Sequence, residues 1–219
     1  MVGFKLAIDG PAGSGKTTIS QDVAKKLGWI HIDTGAMYRA VTYYSLQLEL
    51  NLADEKSYKF LETIEIKYDK GQLLIAGIDV TNHIRSKEVN DNVSLVSSIG
   101  YVREKLVEIQ KALIEGDESI VMDGRDIGTV VIPNAQLKIF LIADIEERAK
   151  RRILENMDAY KDTSLESMIE DLRIRDYKDS HRTISPLKMA DDAIEIDSTY
   201  LTIDEVSNKI IELVKLRSN

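Results

Sequence analysis

The chain contains no cysteine. Disulfides and thiolate metal sites are therefore excluded. Histidine is scarce too: His31, His83 and His181 are the three present. None shows the spacing of a metal-binding pair, so each reads as an ordinary polar or packing residue. No stretch approaches the roughly 20 consecutive apolar residues of a membrane-spanning helix. The first apolar run, Phe4–Ile8, is too short for a secretory leader and leads straight into a glycine-rich loop. With cysteine absent, these features create the expectation of a cytoplasmic protein. Basic residues are the minority, 29 Lys and Arg against 37 Asp and Glu, for a net charge of −8. That balance disfavours a general nucleic-acid-binding surface. Any arginine cluster that grips an anion must be local.

What is present begins with Gly10-Pro11-Ala12-Gly13-Ser14-Gly15-Lys16-Thr17. It matches the phosphate-binding spacing G-x-x-x-x-G-K-[ST] at every fixed position. It follows the strand-like run Phe4–Ile8 and opens a helix-like run, Lys16–Leu27, which is the context the motif requires. Glycines let the backbone turn its N–H groups toward a phosphate. A helix N-terminus adds partial positive charge beneath it. Lys16 is expected to reach the β- and γ-phosphates, and Thr17 to hold Mg²⁺ that arrives with ATP.

Strand-like and helix-like runs alternate along most of the 219 residues. This predicts a parallel sheet covered by helices, in one large domain or one core with small insertions. The candidate strands are Phe4–Asp9, Trp29–Asp33, Ser119–Asp123, Leu137–Leu141 and Ala193–Asp197. Capping-box pairs mark helix starts at Asp144 with Glu147, Thr163 with Glu166, and Thr202 with Glu205. Ile203, Val206, Ile210, Leu213 and Val214 form one apolar stripe; Ile99, Val102, Leu106, Ile109 and Leu113 form another. Between Thr63 and Arg85 the pattern changes. Short alternating runs at Ile64–Tyr68, Leu73–Ile75 and Ile78–Thr81, with a turn at Asp69-Lys70-Gly71, predict a small antiparallel insert.

In open α/β sheets ligands sit beyond the carboxyl ends of the strands. Polar signatures follow three of them: the glycine-rich loop, then Asp33-Thr34-Gly35-Ala36-Met37-Tyr38-Arg39, then Asp123-Gly124-Arg125-Asp126-Ile127-Gly128-Thr129. Guanidinium forks suit phosphate oxygens, and the candidates are Arg39, Arg85, Arg103, Arg125, Arg175 and Arg182. The stretch from Arg173 to Arg182 reads either as a solvated helix end or as a flap carrying arginines over a phosphate. No catalytic base stands out. Phosphoryl transfer between two phosphates needs none, because the acceptor is already an anionic nucleophile.

With these residues in view, the chain resembles the bacterial cytidylate kinase family over nearly its whole length. The marks are the Asp33–Arg39 signature, Ile84-Arg85 at the end of the insert, Asp123–Val131, Arg182–Leu187 and Asp197-Ser198-Thr199. The resemblance implies an α/β fold, a five-stranded parallel P-loop kinase core with helices on both faces, a small β insert and a short helical lid. It assigns residues 1–40, 86–155 and 190–219 to the core, about 41–100 to a monophosphate-binding region containing the insert 63–85, and about 156–189 to the lid. The implied reaction is ATP-dependent phosphorylation of CMP and dCMP by a monomer with Mg²⁺. Gly10, Pro11, Ala12, Gly13, Ser14, Gly15, Lys16, Thr17 and Thr18 would hold ATP. Thr34, Tyr38, Arg39, Arg85, Ser94, Arg103, Arg125, Asp126 and Asp179 would contact the acceptor. Lys16, Arg125, Arg175 and Arg182 would serve the transferring group. The match departs from the family at Lys178, where another arginine is common. A kinase for another nucleotide or small metabolite is the alternative. A guanine-nucleotide switch is disfavoured, since the Asn-Lys pair at Asn208-Lys209 continues as Ile210-Ile211.

Overall fold

The structure, a computed structural model, describes residues 3–69, 72–155, 157–161 and 163–218. The chain divides into two compact units: Met1–Asp33 with Ile114–Asn219, and Thr34–Leu113.

The first unit is built on five parallel strands, β1 (Lys5–Asp9), β2 (Ile30–Asp33), β6 (Ile120–Gly124), β7 (Leu137–Ile142) and β8 (Ile194–Asp197), in the order β2-β6-β1-β7-β8. All five fall within a residue or so of the expected runs. The central strands β1 and β6 are buried at every position, as strands covered on both faces must be. The edge strands β2 and β8 are partly exposed. Helices flank the sheet. Leu6 and Ile8 of β1, Val121 of β6 and Ile139 of β7 pack against α1 (Lys16–Leu27) and α8 (Ile203–Arg217) through Ile19, Val23, Val206, Ile210 and Val214. The α8 stripe holds except at Ile203, which opens the helix and is exposed.

Helices α5 (Ile145–Glu155), α6 (Met157–Tyr160) and α7 (Leu165–His181) follow β7. Ala149, Tyr160, Met168 and Leu172 knit them together. The expected capping box of α8 is present: Thr202 Oγ1 accepts from Glu205 N, and Thr202 N donates to the Glu205 carboxylate. For α7 the cap falls one residue later than expected. Ser164, not Thr163, accepts from the third helical N–H, that of Ser167. Two adjacent hydroxyl residues could each cap there, and the pattern alone could not choose.

The second unit begins with α2 (Thr34–Gln47) and a 3-10 segment, Glu55–Glu62, followed by strands β3 (Ile66–Asp69), β4 (Gln72–Ile75) and β5 (Ile78–Asp79) and helices α3 (Lys87–Val96) and α4 (Gly100–Ala112). The three strands form the antiparallel insert, with Ile66 opposite Ile75 and Ile75 opposite Ile78. Lys70 and Gly71, where the hairpin turn was expected, lie outside the described residues. Met37, Val41, Tyr58, Ile75, Val80, Val93, Val102 and Leu106 form the unit's apolar core.

Candidate active site

Because β1, β2 and β6 run parallel, their carboxyl ends share one edge. The register sets Asp33 against Asp123, Ile8 against Asp123 and Asp9 against Gly124. The glycine-rich loop leaves β1 at that edge. Gly10 has φ 151°, and a Cβ there would stand 2.1 Å from the Leu141 carbonyl oxygen. Gly13 has φ 74° and lies against the Arg148 backbone, with 3.0 Å between its notional Cβ and the Arg148 oxygen. Side chains would be strained or would collide at both positions.

The loop is also held from outside. Arg148 of α5 donates to Ala12 O at 3.0 Å and to Asp176 of α7 at 2.6 Å, while Ala12 N donates to the other Asp176 oxygen. Ser198 Oγ donates to Ser14 O at 3.2 Å, and Arg151 in turn holds Ser198 and Thr199. The loop hands over to α1, whose first turn carries no acidic residue, so nothing there repels an anion.

Four cations converge nearby. Lys16 is buried, and its Nζ donates to Pro11 O at 2.7 Å. Burial, then the charge of Arg125, drives its pKa well below the ordinary amine value. Arg125 Nε donates to Asp179 Oδ2 at 2.9 Å. Arg182 stands 3.7 Å from both Asp126 and Asp179, and its Nε donates to Ser185 O. The Arg175 Nε is shielded from water and makes no hydrogen bond among the described residues. Burial lowers its pKa to about 10, with Arg125 adding repulsion, so it stays charged at neutral pH. Asp179 is buried, which alone would raise its pKa. Arg125, Arg175 and Arg182 outweigh that and hold it below the usual carboxylate value. The i, i+4, i+7 spacing of Arg175, Asp179 and Arg182 puts them on one face of α7 and its C-cap. Arg173 points away from that face and Lys178 borders it beside Arg182; both are exposed.

Two residues that sequence reasoning passed over complete the arrangement in the first unit. Asp9 is buried, and its two oxygens accept from Ile127 N at 2.8 Å and Gly128 N at 2.7 Å. It thereby pins the π-helical turn Ile127–Val131 that follows Asp126. Burial pushes its carboxyl up to about 6, against the pull of those two N–H groups. His31 Nε2 lies 2.6 Å from Asp123 Oδ1, and Thr17 Oγ1 donates to Asp123 Oδ2 at 2.9 Å. Burial disfavours the His31 charge, but the Asp123 hydrogen bond and the charges of Asp123 and Asp33 hold its pKa above the ordinary imidazole value. Asp9 and His31 share one signal, a polar residue next to buried apolar side chains in a short strand, Ile8 before Asp9 and Ile32 after His31.

In the second unit, Thr34, Tyr38 and Arg39 lie in the first turns of α2, with Thr34 and Tyr38 buried. Arg103 of α4 is fully buried; its guanidinium sits 5.2 Å from the centre of the Tyr38 ring and donates to Ser97 O. The hydroxyl of Ser94 in α3 is enclosed and makes no hydrogen bond among the described residues. Arg85 precedes α3 and is exposed, its carbonyl accepting from Asn90.

Among known proteins, the cytidylate kinase family profile matches residues 6–216. A cytidylate kinase from Acholeplasma laidlawii is 55% identical over 215 residues, covering 98% of this chain and 96% of that protein. One from Lactobacillus johnsonii is 48% identical, covering 97% and 94%. Among solved structures, a shikimate kinase from Bacteroides thetaiotaomicron aligns over 97% of this chain and 98% of its own, with a TM-score of 0.52 at 12% identity. At that identity the likeness bears on the fold alone.

Proposed function

The chain belongs to the cytidylate kinase family, and we propose that it transfers the γ-phosphoryl group of ATP to CMP and dCMP, giving ADP and CDP or dCDP. The observation that carries this reading is the convergence of Lys16, Arg125, Arg175 and Arg182 at the carboxyl ends of β1 and β6. Asp126 and Asp179 pair with two of these cations, and guanidinium and ammonium groups gathered at a strand edge suit phosphate oxygens. Phosphoryl transfer between nucleotides is a reaction in which positioning and charge neutralisation supply nearly all the catalysis.

The roles we assign are those that the family resemblance implies. The N–H groups of the loop Gly10–Thr18 and the N-terminus of α1 take the ATP phosphates. Lys16 swings from Pro11 O to the β–γ oxygens. Arg125, Arg175 and Arg182 neutralise the moving group, and Asp179 keeps Arg125 and Arg182 in place between turnovers. On the acceptor, Thr34, Tyr38, Arg39 and Arg85 serve the monophosphate side. Ser94, Arg103 and Asp126 serve the base and sugar, with Asp179 near the ribose. Cytosine carries an amino donor where uracil carries a carbonyl. The enclosed Ser94 hydroxyl and the Asp126 carboxylate favour the donor, and a mismatched buried pair costs about 1–3 kcal/mol.

A cation fits the donor set. Thr17 gives its proton to Asp123 and so offers lone pairs. Among the described residues no group of three His, Cys, Asp or Glu side chains could cage a metal, which suits an ion carried mainly by phosphates and water. Mg²⁺ bound with ATP would supply neutralisation of the β- and γ-oxygens. We further propose a monomer acting in the cytoplasm; no described helix is long and apolar enough to cross a membrane.

The test is coupled ADP release with ATP and Mg²⁺ against CMP, dCMP, UMP, AMP, GMP and dTMP. Fast turnover on CMP and dCMP alone supports the assignment. Turnover confined to another acceptor overturns it.

A further inference from the structure

Thr17 can serve a cation only if its hydroxyl points lone pairs, not its proton, at the ion. In this chain the proton is committed to Asp123 Oδ2, at 2.9 Å. The carboxylate that accepts it is gripped through its other oxygen by His31 Nε2, at 2.6 Å. Two contacts on two oxygens fix the rotation of the Asp123 carboxylate. The strands make this arrangement possible. His31 pairs with Val121 and Asp33 with Asp123 in the parallel β2–β6 register, so the imidazole sits one pleat behind the strand end and reaches forward to Asp123. Facing a carboxylate, Nε2 must be the protonated nitrogen.

We propose that His31 is a positioning residue for the divalent cation that accompanies ATP: by holding Asp123 it keeps the Thr17 hydroxyl oriented as a lone-pair donor. This rests on the reading that the glycine-rich loop binds ATP with a divalent ion. His31 touches neither nucleotide nor metal; it acts through Asp123 and Thr17. Residues that orient metal ligands from behind typically change metal affinity by about 10–100-fold when altered. A histidine that only filled space would instead affect ATP binding equally with and without the ion.

The experiment compares the full-length wild type with His31→Gln, which keeps an N–H donor near the Nε2 position, and His31→Leu, which keeps bulk without a donor. ATP affinity is measured by calorimetry in EDTA. The affinity of Mn²⁺ for each protein–ATP complex is then measured by electron paramagnetic resonance. We expect metal-free ATP affinity within about twofold throughout, Mn²⁺ affinity about tenfold weaker in His31→Leu, and His31→Gln within about threefold of wild type. Unchanged Mn²⁺ affinity in His31→Leu overturns the proposal. So does an equal loss of ATP affinity with and without the ion, or a His31→Gln variant as weak as His31→Leu. If His31→Leu does not fold, His31→Met carries the same comparison. A wild type that fails to bind ATP at all would sink the donor-site reading itself, a result recognisable because every variant fails alike.

Discussion

Ile8 and Asp9 are consecutive on β1, yet they belong to regions of opposite character. Ile8 faces α1 and α8 in a cluster of Val, Ile and Leu side chains. Each such side chain contributes about 1.5–3 kcal/mol by leaving water. Asp9 faces the loop and the turn after Asp126, among Lys16, Asp126 and two backbone N–H groups. There burial opposes charge: it depresses Lys16 and Arg175 and raises Asp9. One region supplies stability; the other consumes part of it to hold charges together at the edge where we propose that phosphates bind. Strand alternation lets a single residue step separate the two.

The comparison breaks most visibly at Lys16. Lys16→Ala should cut kcat/KM for phosphoryl transfer by about 10³-fold, while the thermal midpoint stays level or rises because a buried charge is gone. A large loss of stability with turnover kept would merge the two regions. Arg182→Ala should lower kcat by about 100-fold and change KM for CMP by less than about threefold, as expected of a group acting mainly in the transition state. Steady-state kinetics separate the two parameters, and a pure KM effect would make Arg182 a ground-state binder. Asp126→Ala should raise KM for CMP about tenfold and KM for ATP far less. Equal effects on both would remove Asp126 from the acceptor side.

On the apolar face the signs reverse. Ile210→Ala should destabilise by about 2–5 kcal/mol in denaturant titration, with kcat per folded molecule unchanged. Asp9 gives the subtlest contrast. An ordinary aspartate near 3.9 in the unfolded chain rises to about 6 here, chiefly through burial. The folded state therefore binds this proton more tightly, so the contribution is fully present below about pH 4 and lost as pH rises through about 6. The stability of wild type relative to Asp9→Asn should fall by up to about 3 kcal/mol between pH 4 and pH 7. A rise over that range would show that the two N–H groups outweigh burial.

The strands were legible because short apolar runs ended in Asp- and Gly-rich loops, as at Phe4–Asp9 and Ser119–Asp123. The loop Gly10–Thr17 was legible because glycine and lysine spacing encodes local backbone geometry. The insert was legible from alternation around Asp69-Lys70-Gly71. What stayed hidden depends on partners distant in the chain. Asp9 looks like any strand-end aspartate until Ile127 and Gly128 are folded against it. His31 has no metal-binding spacing, and its role emerges only when β2 pairs with β6 and brings Asp123 within reach. The same holds for Arg148 and Asp176, which meet at Ala12 from two helices. Arg173–Arg182 was ambiguous for another reason. A charged segment looks solvated until the helical face joining Arg175, Asp179 and Arg182 is known to turn inward.

The central claim is that the charged edge is built for nucleotide phosphates and is separable from the apolar face. It is tested most directly by thermal denaturation of wild type and Lys16→Ala with and without saturating ATP. A ligand at 100 times its dissociation constant adds about 2.7 kcal/mol of stability. The account predicts a clear upward shift of the wild-type midpoint with ATP, and little or none in Lys16→Ala, whose midpoint without ATP is level with wild type or higher. An equal ATP shift in both proteins, or none in either, would contradict it.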